Sequence, residues 1–361
     1  MKIQRLETLE QAKALTEAVY EDHGLTHSRP WMNDPHRILA LNQGGQVTSF
    51  IALEEHRVLG HLAAIRPHFE LTIGGEPVCD PGTIEVGLSI VHADARETSV
   101  EHQLAAAVFA WAHRAGCSGA VMKCDTRSTA AQRLAEAMGG VPTALWLGGI
   151  PQCVESGDGS VGSMGPLSTL GLYVRIHGDG VHPIQAMPEG WWKSAVMAKA
   201  GVEGLDAAGD EAETGPTELL VDYCSRRLRA HVFVHSPGAD LLERLAATTV
   251  WLIGGHMEHI SFAMPADSAR VREVLPRLGE LGLFPAGVLP CWLRGRRDAI
   301  LMQAAAFPVL DAATVRLRTG LVAGVREAVW TGFLQTRTAA TEILGMAGLP
   351  SRLRQDERYT S

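Results

Sequence analysis

At 361 residues the chain has room for about two domains of ordinary size, and its 46% apolar content is enough to fill their cores. Its formal net charge of −8 argues against a nucleic-acid-binding surface, which needs clustered Lys and Arg; the local basic grouping is Arg226, Arg227 and Arg229 with Arg294, Arg296 and Arg297. Six cysteines with no C-x-x-C pair fit neither a zinc knuckle nor the disulfide framework of a small secreted domain.

Ala12, Leu15, Ala18 and Val19 stand at helical spacing, so residues 9–20 read as an amphipathic helix. The residues Met1–Arg5 lack the apolar core of a signal peptide, and no apolar run reaches the about 18 residues of a membrane span; a cytoplasmic protein with no membrane partner is expected. His27–His36 is a polar and aromatic loop leading to a short helix. Gln46–Glu54 and Val58–Ile65 read as a hairpin, and Phe69–Ile73 and Val78 flank a turn carrying Gly74 and Gly75. Then come an apolar strand (Thr83–Val91), a turn around His92–Thr98 and a long apolar-faced helix (Val100–Gly116). A strand (Ser118–Lys123), a helix (Thr126–Met138), Gly139-Gly140 and a strand (Pro142–Ile150) follow. Cys117 and Cys124 bracket the Ser118–Lys123 strand and are expected as buried thiols.

Gln152–Pro166 is rich in Gly and Ser, the composition of a flexible linker. Beyond it, a strand at Leu172–Ile176 opens a second unit, with a helix around Gly190–Ala200 and an acidic small-residue loop at Glu203–Thr217. Strands at Glu218–Tyr223 and Arg229–His235, a helix at Ala239–Thr248 and a strand at His259–Met264 come next. A helix at Ser268–Leu281, which Pro276 should kink or split, precedes strands at Phe284–Trp292 and Ala299–Gln303. Thr314–Met346 reads as helical, ahead of a charged tail. The predicted organisation is an N-terminal domain at 1–151, a linker at 152–166, a C-terminal domain at 167–306, and a helical extension and tail at 307–361. Both halves run strand, helix, strand, helix, Gly, strand. Leu134–Pro142 aligns without gaps on Arg277–Pro285, with Gly139 on Gly282 and Pro142 on Pro285. This is either a diverged tandem repeat or two ordinary helix–Gly–strand junctions.

In that element order, the segments Glu85–Glu101 and Ser128–Gly140 resemble the acyl-CoA-binding half of the GNAT N-acetyltransferase superfamily. The likeness covers most of residues 1–150 and, more weakly, about 166–305, as in a tandem GNAT-like protein. It implies an α/β fold of two GNAT-like domains, their mixed sheets flanked by helices. It also implies acyl transfer from acetyl-CoA, another acyl-CoA or carrier-bound pantetheine to a small amine, with an acyl carrier protein as a candidate partner. In the family a strand end offers its backbone to the pantetheine, and helix N-terminal N–H groups take the pyrophosphate. The resemblance carries these roles onto Ser89, Ile90 and Val91, then onto Arg96, Ser99, Val100 and Glu101. Glu85 matches the family's general base and, flanked by Ile84 and Val86, is expected to be buried with a raised pKa. Cys124, Ser128 (in place of the usual Asn) or water are the candidate proton donors to the leaving thiolate; His27, Trp31 and His61 fall where the acceptor binds. The pyrophosphate loop is degenerate: Ser99 and Glu101 stand where the family has Gly and then Gly or Ala, and Ala135 where it often has Tyr. A non-catalytic or repurposed binding fold is therefore the alternative. His231 and His235 share a strand face, and His256 and His259 lie three apart, but nothing in the sequence brings the four together and no metal is expected.

Overall fold

The computed structural model describes residues 1–23, 29–96, 98–126, 129–150, 167–177, 182–184, 202–204, 214–224, 228–305, 315–317, 326 and 329–336. Twelve strands join in one sheet. In chain order they are β1 (Lys2–Arg5), β2 (Val47–Glu54), β3 (Arg57–Ile65), β4 (Thr83–Val91), β5 (Gly119–Asp125), β6 (Val141–Ile150) and β7 (Leu167–Arg175). The later five are β8 (Glu218–Cys224), β9 (Arg229–Ser236), β10 (His259–Pro265), β11 (Phe284–Leu293) and β12 (Arg297–Ala305). Across the sheet the order is β1-β2-β3-β4-β5-β7-β6-β11-β12-β10-β9-β8.

Two pairs of helices sandwich the first strands. α1 (Leu9–His23) and α2 (Pro35–Gln43) bury Leu15, Val19 and Ile38 against Ile51, Val58 and Ile90. α2 starts at Pro35 because Asp34 caps it, its carboxylate accepting from the backbone N–H groups of His36 and Arg37. On the opposite face α3 (Val100–Arg114) lays Val100, Leu104 and Val108 onto Leu62, Ala64, Ile84 and Val86, beside α4 (Ala130–Ala137). Side chains alternate along a strand. With Ile84 and Val86 facing α3, Glu85 between them is turned to the other face.

Outward from the contact between β6 and β11, each side of the sheet repeats one pattern. β6/β7 and β11/β12 are antiparallel, β7/β5 and β12/β10 antiparallel, β5/β4 and β10/β9 parallel, and β4/β3 and β9/β8 antiparallel. Gly139 and Gly282, matched in the sequence, both take positive φ, 81° and 73°, at the turn into β6 and β11. α5 (Leu241–Gly254) and α6 (Ala269–Val274) occupy the positions that α3 and α4 hold in the first half. As Pro276 requires, α6 stops at Val274 and the chain continues as a 3₁₀ turn, Leu275–Leu281.

One strand is placed otherwise than the sequence suggests. The strand expected to open the second unit is β7, and it lies between β5 and β6, in register with both. Apolar patterning marks a strand without saying which neighbour it pairs with, and the Gly/Ser-rich run before it looks like a domain break. The helix expected at 190–200, the linker at 152–166 and most of the helical extension lie outside the described residues.

The two halves touch backbone to backbone. β6 and β11 pair at Ala144 and Gly287, and a Cβ on Gly287 (φ +150°) would stand 2.3 Å from the Thr143 carbonyl oxygen. Gln303 of β12, fully buried, stitches the seam: it accepts from Leu147 N at 3.0 Å and donates to Leu145 O at 3.0 Å. Gly287→Ala is expected to cost about 1–3 kcal/mol by overpacking, read from urea unfolding. Gly254→Ala, where an added Cβ meets nothing within 4 Å, should stay within about 0.5 kcal/mol.

Candidate active site

The site starts where two parallel strands part. β4 pairs with β5 only from Thr83↔Gly119 to Val86↔Met122, while β5 stays paired to β7 as far as Asp125. Two residues on, β4 buckles: Leu88 takes φ +57°, and the register with β3 shifts between His61 and Ala63. A non-glycine residue in that region is strained unless its surroundings hold it. Here the fully buried His61 does so through an Nδ1 contact of 2.7 Å to the Leu88 carbonyl. The backbone of Gly87–Ser89 is left without β5 alongside it, and it borders a cavity of about 370 Å³.

That cavity lies between the halves. Glu85 and Lys123 line it from the first half, with Asp222, Arg229, His231 and His259 from the second. Lys123 Nζ meets Glu85 Oε2 at 2.8 Å and sits 5.6 Å from the ring centre of Trp146 and 5.5 Å from that of Trp292. Burial pushes the Glu85 carboxyl up, but Lys123, then Arg29, outweigh it and hold the group at about 2. This corrects the expected raised pKa: the sequence shows the apolar flanks of Glu85, not the ammonium facing it from the neighbouring strand. With its proton affinity spent on Lys123, Glu85 is a poor general base.

His68, on the loop after β3, is a better one. Its backbone is left-handed (φ +47°), and its ring packs edge-on against His231 and Phe233, with centroids 5.1 and 4.7 Å away. Its Nδ1 lies 3.6 Å from Asp222 Oδ2. Burial drives the His68 pKa below its usual value, against the opposing pull of Asp222, so the imidazole is neutral at pH 7. His231 Nδ1 faces Ser261 Oγ at 3.4 Å and His259 Nε2 faces Gln303 Oε1 at 3.3 Å. Burial pushes His231 well below the ordinary histidine range and His259 down to about 4.

The residues expected to hold a donor are scattered. Ser89 is exposed at the cavity edge, Ile90 is buried against α1, and Val91 is half-buried. Val100 is a core residue of α3 whose N–H is accepted by Thr98 Oγ1 at 3.3 Å. Ser99 precedes the helix with no side-chain cap, and the exposed Arg96 turns to Asp22 (3.4 Å) and the Val91 carbonyl (3.3 Å). On this face burial raises the Cys124 thiol to about 12, helped by the negative charges of Glu101, Asp125 and Glu136. Of the acceptor-side expectations, Trp31 packs into the core near α1 and His61 holds the bulge; neither lines the cavity. His27 and Ser128 lie outside the described residues.

Reasoning from sequence missed His68, Lys123, Asp222 and the role of Arg229. Lys123 did leave a signal, as a lone charge in the apolar run Gly119–Cys124, parallel to a strand with a lone Glu. Of the basic grouping, Arg229 faces the cavity, Arg297 is held by Asp267 at 2.6 Å, Arg294 and Arg296 are exposed, and Arg226 and Arg227 lie outside the described residues. His231 and His259 line the cavity, and among the described residues no three His, Cys, Asp or Glu side chains gather in a metal-binding group. Nor is any described helix long and apolar enough to cross a membrane.

Residues 14–139 match the family model described as acetyltransferase (GNAT) family, so the chain carries a GNAT acetyltransferase domain there. No curated protein matches the sequence. Among solved structures, it is similar to an N-acetyltransferase from Staphylococcus aureus Mu50, at 15% identity over 49% of this chain and 100% of that one, with a TM-score of 0.37. It is also similar to the ribosomal-protein-S18-alanine N-acetyltransferase from Escherichia coli, at 15% identity over 50% of this chain and 96% of that one, TM-score 0.36. A third is yncA from Salmonella typhimurium, solved with its cofactor acetyl-CoA, at 17% identity over 48% of this chain and 94% of that one, TM-score 0.37.

The Glu85–Lys123 pair can be tested on its own. Breaking a buried pair leaves the survivor uncompensated, so Lys123→Met is expected to cost about 3 kcal/mol in urea unfolding. Adding Glu85→Gln should recover most of that loss, a coupling that a double-mutant cycle measures directly.

Proposed function

We propose that this protein is an acyltransferase that moves an acyl group from a pantetheine thioester to an amine bound in the cavity between the two halves. The observation that carries the reading is the parting of β4 and β5 at the Leu88 bulge, directly onto a cavity holding a neutral, carboxylate-oriented imidazole. The pantetheine arm would lie in the gap beside Gly87–Ser89, reached from the α3 face. The amine attacks the thioester carbonyl, His68 takes its proton, and the thiolate departs. Asp222 orients His68 and stabilises the imidazolium that forms. Glu85 keeps Lys123 in place rather than accepting the proton. The mirrored strand order and the paired glycines support reading the second half as a diverged copy of the first, kept to close the cavity.

A second reading, a GNAT-type fold that binds small molecules without catalysis, is favoured by the donor face. Glu101, Asp125 and Glu136 place negative charge around Cys124, and Arg96 is engaged by Asp22. A diphosphate would be repelled there, whereas a thioester arm without a nucleotide would be less affected.

Thermal melts with acetyl-CoA and with S-acetyl-pantetheine separate the two readings. Either donor at 100 times its dissociation constant should stabilise the protein by about 2.7 kcal/mol. Glu101→Gln should bind acetyl-CoA more tightly than wild type. If neither donor shifts the melt, in wild type or in Glu101→Gln, the catalytic reading is wrong.

The rate profile gives a further check. With the His68 pKa lowered, kcat/KM should fall on the acid side only below about 6.5, the ordinary value. Asp222 opposes that lowering, so Asp222→Asn should move the acid limb to still lower pH. His68→Gln should remove the limb and lower kcat about 10²–10⁴-fold, the usual range for general acid–base catalysis.

A further inference from the structure

We propose that the molecule taken by the cavity is an aminocarboxylate, its carboxylate held by Arg229 and its amine turned toward His68; this rests on the acyl-transfer reading for the amine, but not for the carboxylate.

Charged side chains from both halves line the cavity. Lys123 is matched by Glu85 at 2.8 Å, and Asp222 lies against His68. Arg229 has no such match. Its side chain faces the cavity, and among the described residues its one hydrogen bond is a 3.4 Å contact from NH1 to the Gly149 carbonyl, with no carboxylate within ion-pair distance. Burial and the nearby Arg29 charge both work against its proton. A guanidinium does not give up its proton, however, so a half-buried positive charge faces the cavity with Glu85 and Asp222 acting on it only from beyond ion-pair distance. Nearly all buried charges are paired, and the planar fork of Arg fits a carboxylate through two parallel N–H···O bonds. An anionic group on the ligand would supply the missing counter-charge.

His259 stands beside Arg229 as a neutral neighbour. Leu147 N donates to Gln303 Oε1, and Gln303 Nε2 donates to Leu145 O, which fixes that amide. Gln303 Oε1 is therefore an acceptor, His259 Nε2 carries the proton toward it, and Nδ1 presents a lone pair. That Nδ1 is buried and has no hydrogen-bond partner. His259 pairs with Arg229 across neighbouring strands, so its ring borders the place where an anion on Arg229 would lie, while Trp146 and Trp292 offer apolar walls to the rest of the ligand.

The probes are the proteinogenic L-amino acids with β-alanine and γ-aminobutyrate, each as the free acid and as its C-terminal amide. Binding is read by thermal shift and by quenching of tryptophan fluorescence, without any donor present. At least one free acid should bind wild type at least tenfold more tightly than its amide. Arg229→Gln should abolish that preference, and Arg229→Lys, which keeps the charge but not the fork, should retain part of it. Should Arg229→Gln not fold, the acid–amide comparison in wild type still decides. Equal binding of acids and amides, or no binding by any acid, overturns the inference even if acetyl-CoA binds and is turned over. Acid-specific binding with no donor binding would sink the acyl-transfer reading and leave this one standing.

Discussion

Everything in the site depends on β4 leaving β5 after Val86. Continued pairing would seal the sheet and leave Glu85 and Lys123 buried with no space beside them. The departure is forced at Leu88, where a left-handed residue breaks the extended backbone and throws the register with β3 out by one. Such a residue stores strain of order 1–3 kcal/mol, tolerated only where the surroundings over-determine it. The over-determination here is the buried imidazole of His61, locked against the Leu88 carbonyl from the far side of the strand. A histidine with no place in the cavity therefore gives the cavity its mouth.

The gap would open onto solvent if the second half did not close over it. Closure is made by hydrogen bonds that join backbone groups to backbone and to side chains across the halves. Asp80 N donates to the Trp292 carbonyl, Arg294 N to the Val78 carbonyl, and Arg296 N to the Asp80 carboxylate at 2.8 Å. These bonds run between the segment before β4 and the end of β11, while Gly287 and Gln303 fasten β11 and β12 to β6. The sheet thus coils until its two parallel pairs face one space. Trp292 is carried into that space on one of the bonded segments, which brings its ring beside Lys123 and near His68. Low dielectric inside strengthens the Glu85–Lys123 attraction and, at the same time, the pull of Arg229 on any anion that enters.

Much of the local structure was legible in the chain. The strand at Thr83–Val91 coincides with its apolar run, Pro276 ends a helix two residues before it, and the glycines aligned between the halves share one backbone conformation. What the sequence does not carry is pairing at long range. Nothing in Leu167–Arg175 says that it inserts between two earlier strands, and nothing in the flanks of Glu85 says that Lys123 lies across from it. For the same reason nothing in the sequence brought the histidines of β9 and β10 together. Their spacing is local, but the burial that makes them neutral is assembled from strands distant in the sequence. His68 leaves no local mark at all, because its environment is assembled from β8, β9 and β11.

The two faces of the gap have opposite electrostatics, and this orders the possible chemistry. On the cavity side Arg29, Lys123 and Arg229 outnumber Glu85 and Asp222, and the imidazoles are uncharged. On the α3 side Glu101, Asp125 and Glu136 act together on Cys124, and the one arginine of the turn is drawn to Asp22. An anion is thus drawn toward the inner face and repelled from the outer one, where a helix N-terminus would otherwise welcome it. A thioester arm reaching in from the α3 side is itself uncharged, so its passage is not opposed, but a diphosphate trailing behind it would be. The selectivity of such a site falls on the inner molecule, held by charge, with the donor held chiefly by the backbone it threads.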